Sequence, residues 1–242
     1  MESRHELNNG LQLPVPEAHR SPDRMPFTIR IVERERDLEK AVTMRKAAYG
    51  RHLPDFAQHM SVDDCDQSVD TIVLLAESKL DGVPLGTIRI QTNASAPLPV
   101  QSSVLLPPWC NRGRLAEATR LGVAAGSPGR MVKVMLFKAL FLFCEQQKID
   151  WLIITARSPL DREYEAMLFK DIAEKGRFFP MTHVGGLPHR VMAGAVATAR
   201  RRWEEARHPL FKFVFETYHP DINVHVKENL TFMAEREPCT GK

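Results

Sequence analysis

Apolar residues change their spacing along the chain, and each change predicts a secondary-structure element. Alternation and short apolar runs predict strands at 27–31, 71–77, 85–91, 150–156, 178–184 and 189–195. Helical spacing predicts helices at 35–51, 160–172 and 197–218, the last of them restarting at Pro209. Antiparallel strands followed by strand, helix, strand and helix predict an α/β fold of the layered, α+β kind.

The middle of this pattern, Gly113 to Glu145, predicts a strand, a glycine-containing turn and a long apolar helix. Glu117 and Arg120 occupy strand positions where hydrophobic residues are expected, and Arg89 interrupts the preceding strand in the same way. A buried charge is costly unless it is paired or functional. The opposite charges of Glu117 and the two arginines predict that the three side chains form one buried cluster. The alternative is that some of the three side chains face water on an open side of the sheet.

Composition narrows the class of protein. The 242 residues are 43% hydrophobic and 26% charged, which is typical of a globular protein with its own core. The 33 basic and 30 acidic side chains leave a net charge of +3, which favours neither nucleic acid nor a membrane surface as a partner. The sequence contains no signal peptide, lipidation motif or membrane-spanning run, and its four cysteines form no metal-ligand pattern. These features predict a cytoplasmic protein.

Four short motifs carry a resemblance to a known family. In chain order they are MRKAAY with Arg45 and Tyr49, DDCD with Asp64 and Asp66, GTIRI with Arg89, and EATRLGV with Glu117 and Arg120. Their order over residues 27–175 resembles the GNAT acyltransferases. Within that fold it resembles the acyl carrier protein-dependent branch, which comprises the acyl-homoserine lactone (autoinducer) synthases and the FeeM-type N-acyl amino acid synthases. The resemblance implies a GNAT-like mixed central sheet flanked by helices, with extra C-terminal helices.

This resemblance divides the chain into three parts. Residues 1–25, which lack hydrophobic periodicity, are predicted to be a flexible N-terminal tail. Residues 26–195 are predicted to form the GNAT-like acyltransferase domain. Residues 196–242 are predicted to form a C-terminal helical extension and tail, which fits the amino acid synthase branch.

The reaction that the resemblance implies is N-acyl transfer to an amino acid. The donor would be the acyl-phosphopantetheine thioester of acyl carrier protein, and the product a long-chain N-acyl amino acid. No tightly bound cofactor and no metal are implied, and contact with a membrane is expected only through the product.

Two departures from the family patterns bear on the substrates. The chain has Leu53-Pro54-Asp55-Phe56 where the lactone synthases place a tryptophan, which counts against S-adenosylmethionine as the acceptor. Its AAGSPGR turn is poorer in glycine and basic residues than a coenzyme A loop, which favours a carrier protein over free acyl-CoA. Two alternatives stay open: an acyl-homoserine lactone synthase using S-adenosylmethionine, and a non-catalytic GNAT-like module that binds acyl carrier protein or lipid.

The predicted catalytic residues are Glu117, Arg120 and Arg89. A carboxylate can remove the proton that an α-amine carries at pH 7, so Glu117 is predicted to be the general base. The alternative is a structural pairing of Glu117 with Arg89 or Arg120. Arg45 or Arg89 would hold the amino acid's carboxylate, and backbone N–H groups of the central strand would stabilise the oxyanion. The predicted substrate-binding residues are Arg45, Tyr49, Asp64, Asp66, Leu121, Gly122 and Val123.

An acidic carrier protein requires a basic docking surface near the thioester. The predicted pantetheine and carrier site consists of Gly129, Arg130 and Lys133. Lys138 and the run Arg200–Arg202 are further basic candidates for this surface. For the arginine run, the alternative is a solvated helix face. The apolar helix and the phenylalanines at 178–179 and 211–215 would line an acyl tunnel, unless they form only core. His183 and His189 lack a third ligand and are predicted to be structural or surface residues.

Overall fold

The computed structural model describes residues 23–226, in which a nine-stranded mixed sheet carries helices on both faces. The strands are β1 (Phe27–Ile31), β2 (Thr71–Ser78), β3 (Pro84–Thr92), β4 (Leu115–Val123), β5 (Trp151–Ala156), β6 (Lys170–Asp171), β7 (Phe178–Met181), β8 (Leu187–Ala195) and β9 (Ile222–Asn223). The helices are α1 (Glu35–Gly50), α2 (Pro54–Gln58), α3 (Gly126–Gln146), α4 (Leu160–Ala166), α5 (Val196–Glu205) and α6 (Phe211–Phe215). The α/β class predicted from the sequence is confirmed.

The strands lie side by side in the order β6-β8-β5-β4-β3-β2-β1-β9, and β7 also pairs with β8. The β4–β5 and β1–β9 pairs are parallel, and the other pairs are antiparallel. A parallel pair needs a crossover connection, which α3 supplies between β4 and β5. The long apolar helix predicted from the sequence is therefore the element that joins the two central strands.

Helices α1 and α3 pack on opposite faces of the central strands. Gly122 of β4 faces Ala48 of α1, whereas Gly86 of β3 faces Val132 and Leu136 of α3. Gly122 is paired with Thr87, so these two residues share a face of the sheet. Gly86, the neighbour of Thr87, points to the opposite face, and α1 and α3 therefore lie on different faces. A substrate pocket on the α1 face is thus separated by the sheet from one on the α3 face.

The ladder between β4 and β5 ends before β4 does. The pairing runs from Leu115 opposite Trp151 to Ala118 opposite Ile154. Beyond that point β4 continues to Val123 with β3 as its sole partner among the described strands. The two central strands therefore part at the middle of the sheet.

A bulge in β4 lies at the same place. The β3–β4 register shifts between Thr87 and Arg89, because Thr87 pairs with Gly122 and Arg89 with Thr119. Arg120, within this shift, has a φ of 55°, a left-handed conformation that a non-glycine residue rarely adopts. Such strain costs about 1–3 kcal/mol and persists only where the surroundings enforce it. The bulge turns the direction of the side chains that follow.

Three predicted elements are shorter than expected. Helix α4 ends at Ala166, because Leu168 has a φ of 65° and the chain then joins the sheet as β6. The strand predicted over 178–184 stops at Met181, where a 3-10 turn, Thr182–Val184, begins. The helix predicted over 197–218 has the expected interruption before its restart, where Arg207 has a φ of 50°, but its second part ends at Phe215.

The C-terminal residues that the structure describes join the same core and sheet. Helix α5 packs on α3 and α6, and β9 lies beside β1. The Asp221 carboxylate accepts the Met25 backbone N–H at 2.9 Å and lies 2.7 Å from Lys79 Nζ. Met25, inside the predicted tail, is buried. Most of that tail and the last part of the predicted extension, 1–22 and 227–242, lie outside the described residues.

No helix within residues 23–226 has both the length and the hydropathy that crossing a bilayer requires.

Candidate active site

One face of the sheet carries the strand charges that the sequence singles out. In the β3–β4 ladder Gln91 lies opposite Glu117, and Arg89 lies opposite Thr119, so these four side chains share the α1 face. Arg89 and Glu117 are both buried. The alternative in which they point to water is therefore excluded for these two residues.

Glu117 has no exposed surface. Its Oε2 accepts a hydrogen bond from the Val100 backbone N–H at 2.8 Å, and the Thr155 hydroxyl donates a long one, 3.5 Å, to Oε1. His183 Nε2 lies 3.9 Å from the same Oε1. Burial raises the pKa of Glu117 from 4.5 to about 7, although Val100, Arg89 and Thr155 each lower it. A carboxyl group in this range can bind and release a proton at neutral pH.

The alternative that the sequence leaves open, a structural pairing of Glu117 with Arg89 or Arg120, does not match the structure, because neither arginine bonds to Glu117. Arg89 donates from Nη1 to Asp63 at 2.6 Å and approaches Asp66 at 3.4 Å. Arg120 Nη2 lies 3.7 Å from Asp63. The arginines therefore pair with carboxylates of the acidic segment between α2 and β2, and Glu117 is left without a salt-bridging arginine.

The acidic segment divides its carboxylates between the core and water. Both oxygens of the buried Asp66 accept from Nη1 of Arg45 at 2.7 Å. Asp63 accepts the Asp66 backbone N–H at 2.8 Å. Although burial alone would raise it, Arg89 lowers the pKa of Asp63. Asp64, predicted to bind substrate, is exposed and lies outside these ion pairs, and Asp63 takes the place expected for it.

This cluster has more positive than negative charge. Three guanidinium groups meet two carboxylates, those of Asp63 and Asp66. Within residues 23–226, Nε and Nη2 of Arg45 and Nη1 of Arg120 are buried without a hydrogen-bond partner. Beside them is a cavity of about 430 Å³, which we call the cationic cavity; its walls are Arg45, Phe56, His59, Met60, Ser61, Asp63 and Arg120. Unpaired buried donors and an uncompensated charge suit an anionic ligand.

Aromatic side chains complete the wall around Arg120. Its guanidinium carbon lies 5.4 Å from the centroid of the Phe56 ring, and Phe56 packs against Tyr49 at 5.9 Å. Burial and the neighbouring Arg89 lower the pKa of Arg120. Burial raises the pKa of Tyr49, which stays a neutral phenol at pH 7. The structure thus groups Arg45, Tyr49 and Arg120 on one side of the sheet.

A second cavity, of about 290 Å³, lies on the α3 face, and we call it the apolar cavity. Its apolar walls include Ile88, Leu121, Phe137, Leu140, Leu160 and Leu210. Leu121 belongs to the end of β4 that no longer pairs with β5, so the cavity starts where β4 and β5 part. Lys133 and Glu163, joined by an ion pair of 2.5 Å, form a polar part of the wall.

Comparison with known proteins decides the family. The family model of the N-acyl amino acid synthase FeeM matches residues 40–188, more than half of the chain. This stretch contains Glu117 and the arginines and aspartates of the ion-pair cluster. The chain belongs to this family. It is therefore an N-acyltransferase that forms N-acyl amino acids, as the motifs predict.

Solved structures show that the synthase shares the fold of its relatives. FeeM from uncultured soil microbes has 18% identity and a TM-score of 0.59, over 77% of this chain and 96% of that one. The acyl-homoserine lactone synthase LasI has 15% identity and a TM-score of 0.51, over 72% and 93%. The CoA-dependent acyl-homoserine lactone synthase BjaI, solved with SAM and isopentyl-CoA, has 14% identity and a TM-score of 0.51, over 86% and 99%. No curated protein sequence matches the synthase significantly.

Two residues predicted to bind substrate lie against α1 and the residue that follows it. A Cβ on Gly122 would lie 3.1 Å from the Cβ of Ala48, so glycine lets α1 lie close to β4. Val123 accepts a hydrogen bond from Arg51 Nη2 at 2.7 Å through its carbonyl oxygen. Gly129 is a packing position, because a Cβ there would collide with the backbone carbonyl of Ala124.

The basic residues predicted for carrier docking have different environments. Arg130 is exposed at the start of α3, where it donates to the Ser127 hydroxyl at 2.8 Å. Lys138, by contrast, is buried and donates to the carbonyl oxygens of Phe213 (2.6 Å) and Thr217 (2.5 Å). The prediction that Lys138 contributes to a docking surface is therefore wrong: this lysine fastens the C-terminal segment to α3.

The arginine run on α5 is not simply a solvated face. Arg200 packs on the rings of Phe211 and Phe215, and Arg202 donates to the Leu168 carbonyl at 2.7 Å. Arg200, with 52% of its side chain exposed, and Arg201 both face water, as the alternative of a solvated helix face expects. Arg202 differs, because its guanidinium bonds to the protein.

Sequence reasoning missed the groups that surround Glu117. Thr155, His183 and the Val100 N–H come from three separate parts of the chain, and the fold alone brings them together. His183 has only a weak sequence signal, a histidine near Gly185 and Gly186 in a stretch of poor periodicity, and it is predicted to be a structural or surface residue. No group of three His, Cys, Asp or Glu side chains in the described part of the chain is placed to hold a metal ion.

Proposed function

We propose that the synthase transfers a long-chain acyl group from the phosphopantetheine thioester of acyl carrier protein to the α-amine of a free amino acid. One observation carries this proposal. Glu117, a buried carboxyl group whose pKa is about 7, lies on the strand that also contributes Arg120 to the cationic cavity and Leu121 to the apolar cavity. A base, an anion site and an apolar site thus meet along one strand, beside the parting of β4 and β5.

The proposed chemistry is direct attack without a covalent enzyme intermediate. The amino acid arrives with a protonated amine, and the Glu117 carboxylate takes one proton from it. The free amine attacks the thioester carbon, the C–N bond forms, and the C–S bond breaks as the pantetheine thiol leaves. Backbone N–H groups beside Leu121, in the part of β4 that no longer pairs with β5, are proposed to stabilise the oxyanion.

The acceptor's carboxylate is proposed to bind in the cationic cavity. Arg45 and Arg120 line this cavity, and both have buried N–H groups without a partner among the described residues. The cluster also has one positive charge more than its own carboxylates balance. A guanidinium fork matches a carboxylate in shape and charge. Arg89 is proposed to hold Asp63 and Asp66 in place, because these carboxylates already use its Nη1.

Replacing Arg120 by Gln should raise the KM for the amino acid about 10- to 100-fold, because a charge-assisted hydrogen bond is worth about 1.5–3 kcal/mol. The effect on kcat should be small. Steady-state kinetics with an amino acid and with the corresponding amine that lacks the carboxylate provide the matched comparison. The amine should be used equally well by both enzymes, and an equal loss with both acceptors would rule out a carboxylate contact at Arg120.

The acyl chain is proposed to occupy the apolar cavity. Its walls are mostly aliphatic and aromatic, and it begins at Leu121, next to the place where the thioester would lie. Removing such a chain from water favours binding by about 0.8 kcal/mol per buried methylene group, so a long chain gains more than an acetyl group. This size and lining support a fatty acyl substrate.

The carrier protein is proposed to dock at the start of α3, on Arg130 and Lys133. Arg130→Glu should raise the KM for an acyl carrier protein about tenfold and leave the KM for the same acyl group on pantetheine unchanged. Lys133→Glu should have a smaller effect, because Glu163 already neutralises part of its charge. Arg201→Glu, on exposed α5, is the control. If Arg130→Glu changes both donors alike, this surface is not the docking site.

The experiment that tests the whole proposal is a product assay by mass spectrometry. The purified protein is given acyl carrier protein or coenzyme A thioesters of increasing length, with free amino acids or S-adenosylmethionine. Acyl amino acids formed efficiently from carrier thioesters support the proposal. Products from coenzyme A alone would overturn the donor, acylated lactones would overturn the acceptor, and no product at all would favour a non-catalytic binding module. The proposed compartment is the cytoplasm, where carrier-bound acyl thioesters are made.

A further inference from the structure

Each turnover of amide formation releases one proton from the active site. The ammonium group of the acceptor loses two protons on becoming an amide N–H, and the leaving thiolate takes up one of them. The other proton goes to the base. Glu117, the proposed base, has no exposed surface, so this proton needs a second group through which it reaches water.

His183 is the described side chain with the right position and chemistry for this. Its Nε2 lies 3.9 Å from Glu117 Oε1, about 1 Å beyond hydrogen-bonding distance, and its side chain is 15% exposed. His183 thus lies between an enclosed carboxyl group and the solvent. The other two contacts of Glu117 are a backbone N–H, which cannot accept a proton, and a hydroxyl, which is a weak proton acceptor.

The surroundings of His183 keep its ring neutral and leave it room to move. Burial, Arg120, His189 and Arg89 lower its pKa to about 4, and Glu117 is the carboxyl group that faces it. Its Nδ1 is buried and has no hydrogen-bond partner in the described part of the chain, so no bond fixes the ring. The 3-10 turn that carries it is followed by Gly185 and Gly186, both at positive φ. Two successive glycines give a turn the freedom for a shift of about 1 Å.

We propose that His183 is the proton outlet of Glu117: its Nε2 accepts the proton from the Glu117 carboxyl group and passes it to water. Because the pKa of His183 (about 4) lies below that of Glu117 (about 7), this transfer is uphill and the protonated histidine is short-lived. Water takes the proton from it, the carboxylate is restored, the histidine returns to its neutral state, and no other reactant is needed. His183 acts through Glu117 and does not contact the reacting atoms, so it is a positioning and relay residue. This inference rests on the proposed role of Glu117 as the base.

The test is chemical rescue of His183→Ala. The substitution should lower kcat about 10- to 100-fold and change the KM values of both substrates less than twofold. Imidazole added to the assay should restore part of kcat, whereas pyrrole, a ring of the same shape without an accepting nitrogen, should not. His189→Ala is the matched control, since His189 hydrogen-bonds through Nδ1 to the Leu187 carbonyl oxygen; its kcat should stay near that of the unmodified enzyme.

An unchanged kcat in His183→Ala would overturn the proposal. Equal restoration of kcat by pyrrole and imidazole would also overturn it, because the ring would then only fill space. His183→Gln, a polar replacement that cannot carry a proton, covers the case in which the alanine variant does not fold; it should show the same loss of kcat, and full activity would refute the relay. Glu117→Gln separates this inference from the proposed function, because full activity in that variant would refute the base itself, whatever His183 does.

Discussion

Glu117→Gln should abolish nearly all acyl transfer and, at the same time, make the protein more stable above pH 7. Loss of a positioned general base lowers kcat about 10²- to 10⁴-fold. Gln keeps the size of the side chain and can still accept the Val100 N–H through its oxygen. Activity and stability should therefore move in opposite directions.

The gain in stability follows from the raised pKa of Glu117. A carboxyl group with a pKa of about 7 in the fold and 4.5 when exposed binds its proton more tightly in the folded protein. Its contribution to stability is present below pH 4.5 and is lost as the pH rises through 7. The lost contribution amounts to about 3 kcal/mol, and Gln, which does not ionise, avoids the loss.

The measurements are single-turnover kinetics and urea unfolding at pH 5 and pH 8. The unmodified enzyme should also gain activity as the pH rises through about 7, because the carboxylate is the active form of the base. Glu174→Gln, on an 81% exposed side chain, is the control and should change neither property. If Glu117→Gln loses activity and stability together, Glu117 has the structural role instead.

Asp66→Ala should be among the most destabilising substitutions in the chain, with a loss of about 3–5 kcal/mol in the free energy of unfolding. Asp66 is buried, and its carboxylate bonds to Arg45 and lies 3.4 Å from Arg89. Removal of one partner from a buried ion pair leaves the other charge uncompensated in the core. Here Arg45, which is nearly inaccessible to water, would lose the carboxylate to which it bonds, whereas Arg89 would keep Asp63.

The matched control lies two residues away. Asp64 is exposed, and Asp64→Ala should change the free energy of unfolding by no more than about 0.5 kcal/mol. Urea denaturation of the two variants side by side measures the difference between them. Similar values would mean that the buried ion pairs contribute little to the fold. A second outcome is of interest for the site: in Asp64→Ala the KM for the amino acid should not change.

Much of the fold follows from hydrophobic spacing alone. Strands β1, β2, β3 and β5 and helices α1 and α3 lie close to their predicted bounds, because each buries a regular face or run. The errors fall where tertiary contacts override spacing. The residues after Ala166 have helical periodicity, yet Asp171 bonds to Arg190 of β8, and this draws the chain into the sheet. No local pattern contains that contact.

The sequence predicts which charged strand residues are buried, but not how they pair. Charges in β3 and β4 are anomalous in a strand, and so the sequence alone points to Arg89, Glu117 and Arg120. Which carboxylate faces which arginine depends on the β4 bulge and on the direction of the acidic turn, and neither has a sequence signal here. The choice between Asp63 and Asp64 is the clearest case, since the two are chemically identical neighbours.

The pairing of β9 with β1 has a consequence for the length of the chain. Strand β1 would be an outer strand of the sheet if the chain stopped before Asp221, whose carbonyl oxygen accepts the Ile29 N–H at 2.8 Å. An uncovered outer strand offers its backbone to any other strand, including one from a second copy. Truncation of the C-terminus before Asp221 should therefore expose the unpaired backbone groups of β1. We expect such shortened forms to self-associate before they lose their secondary structure.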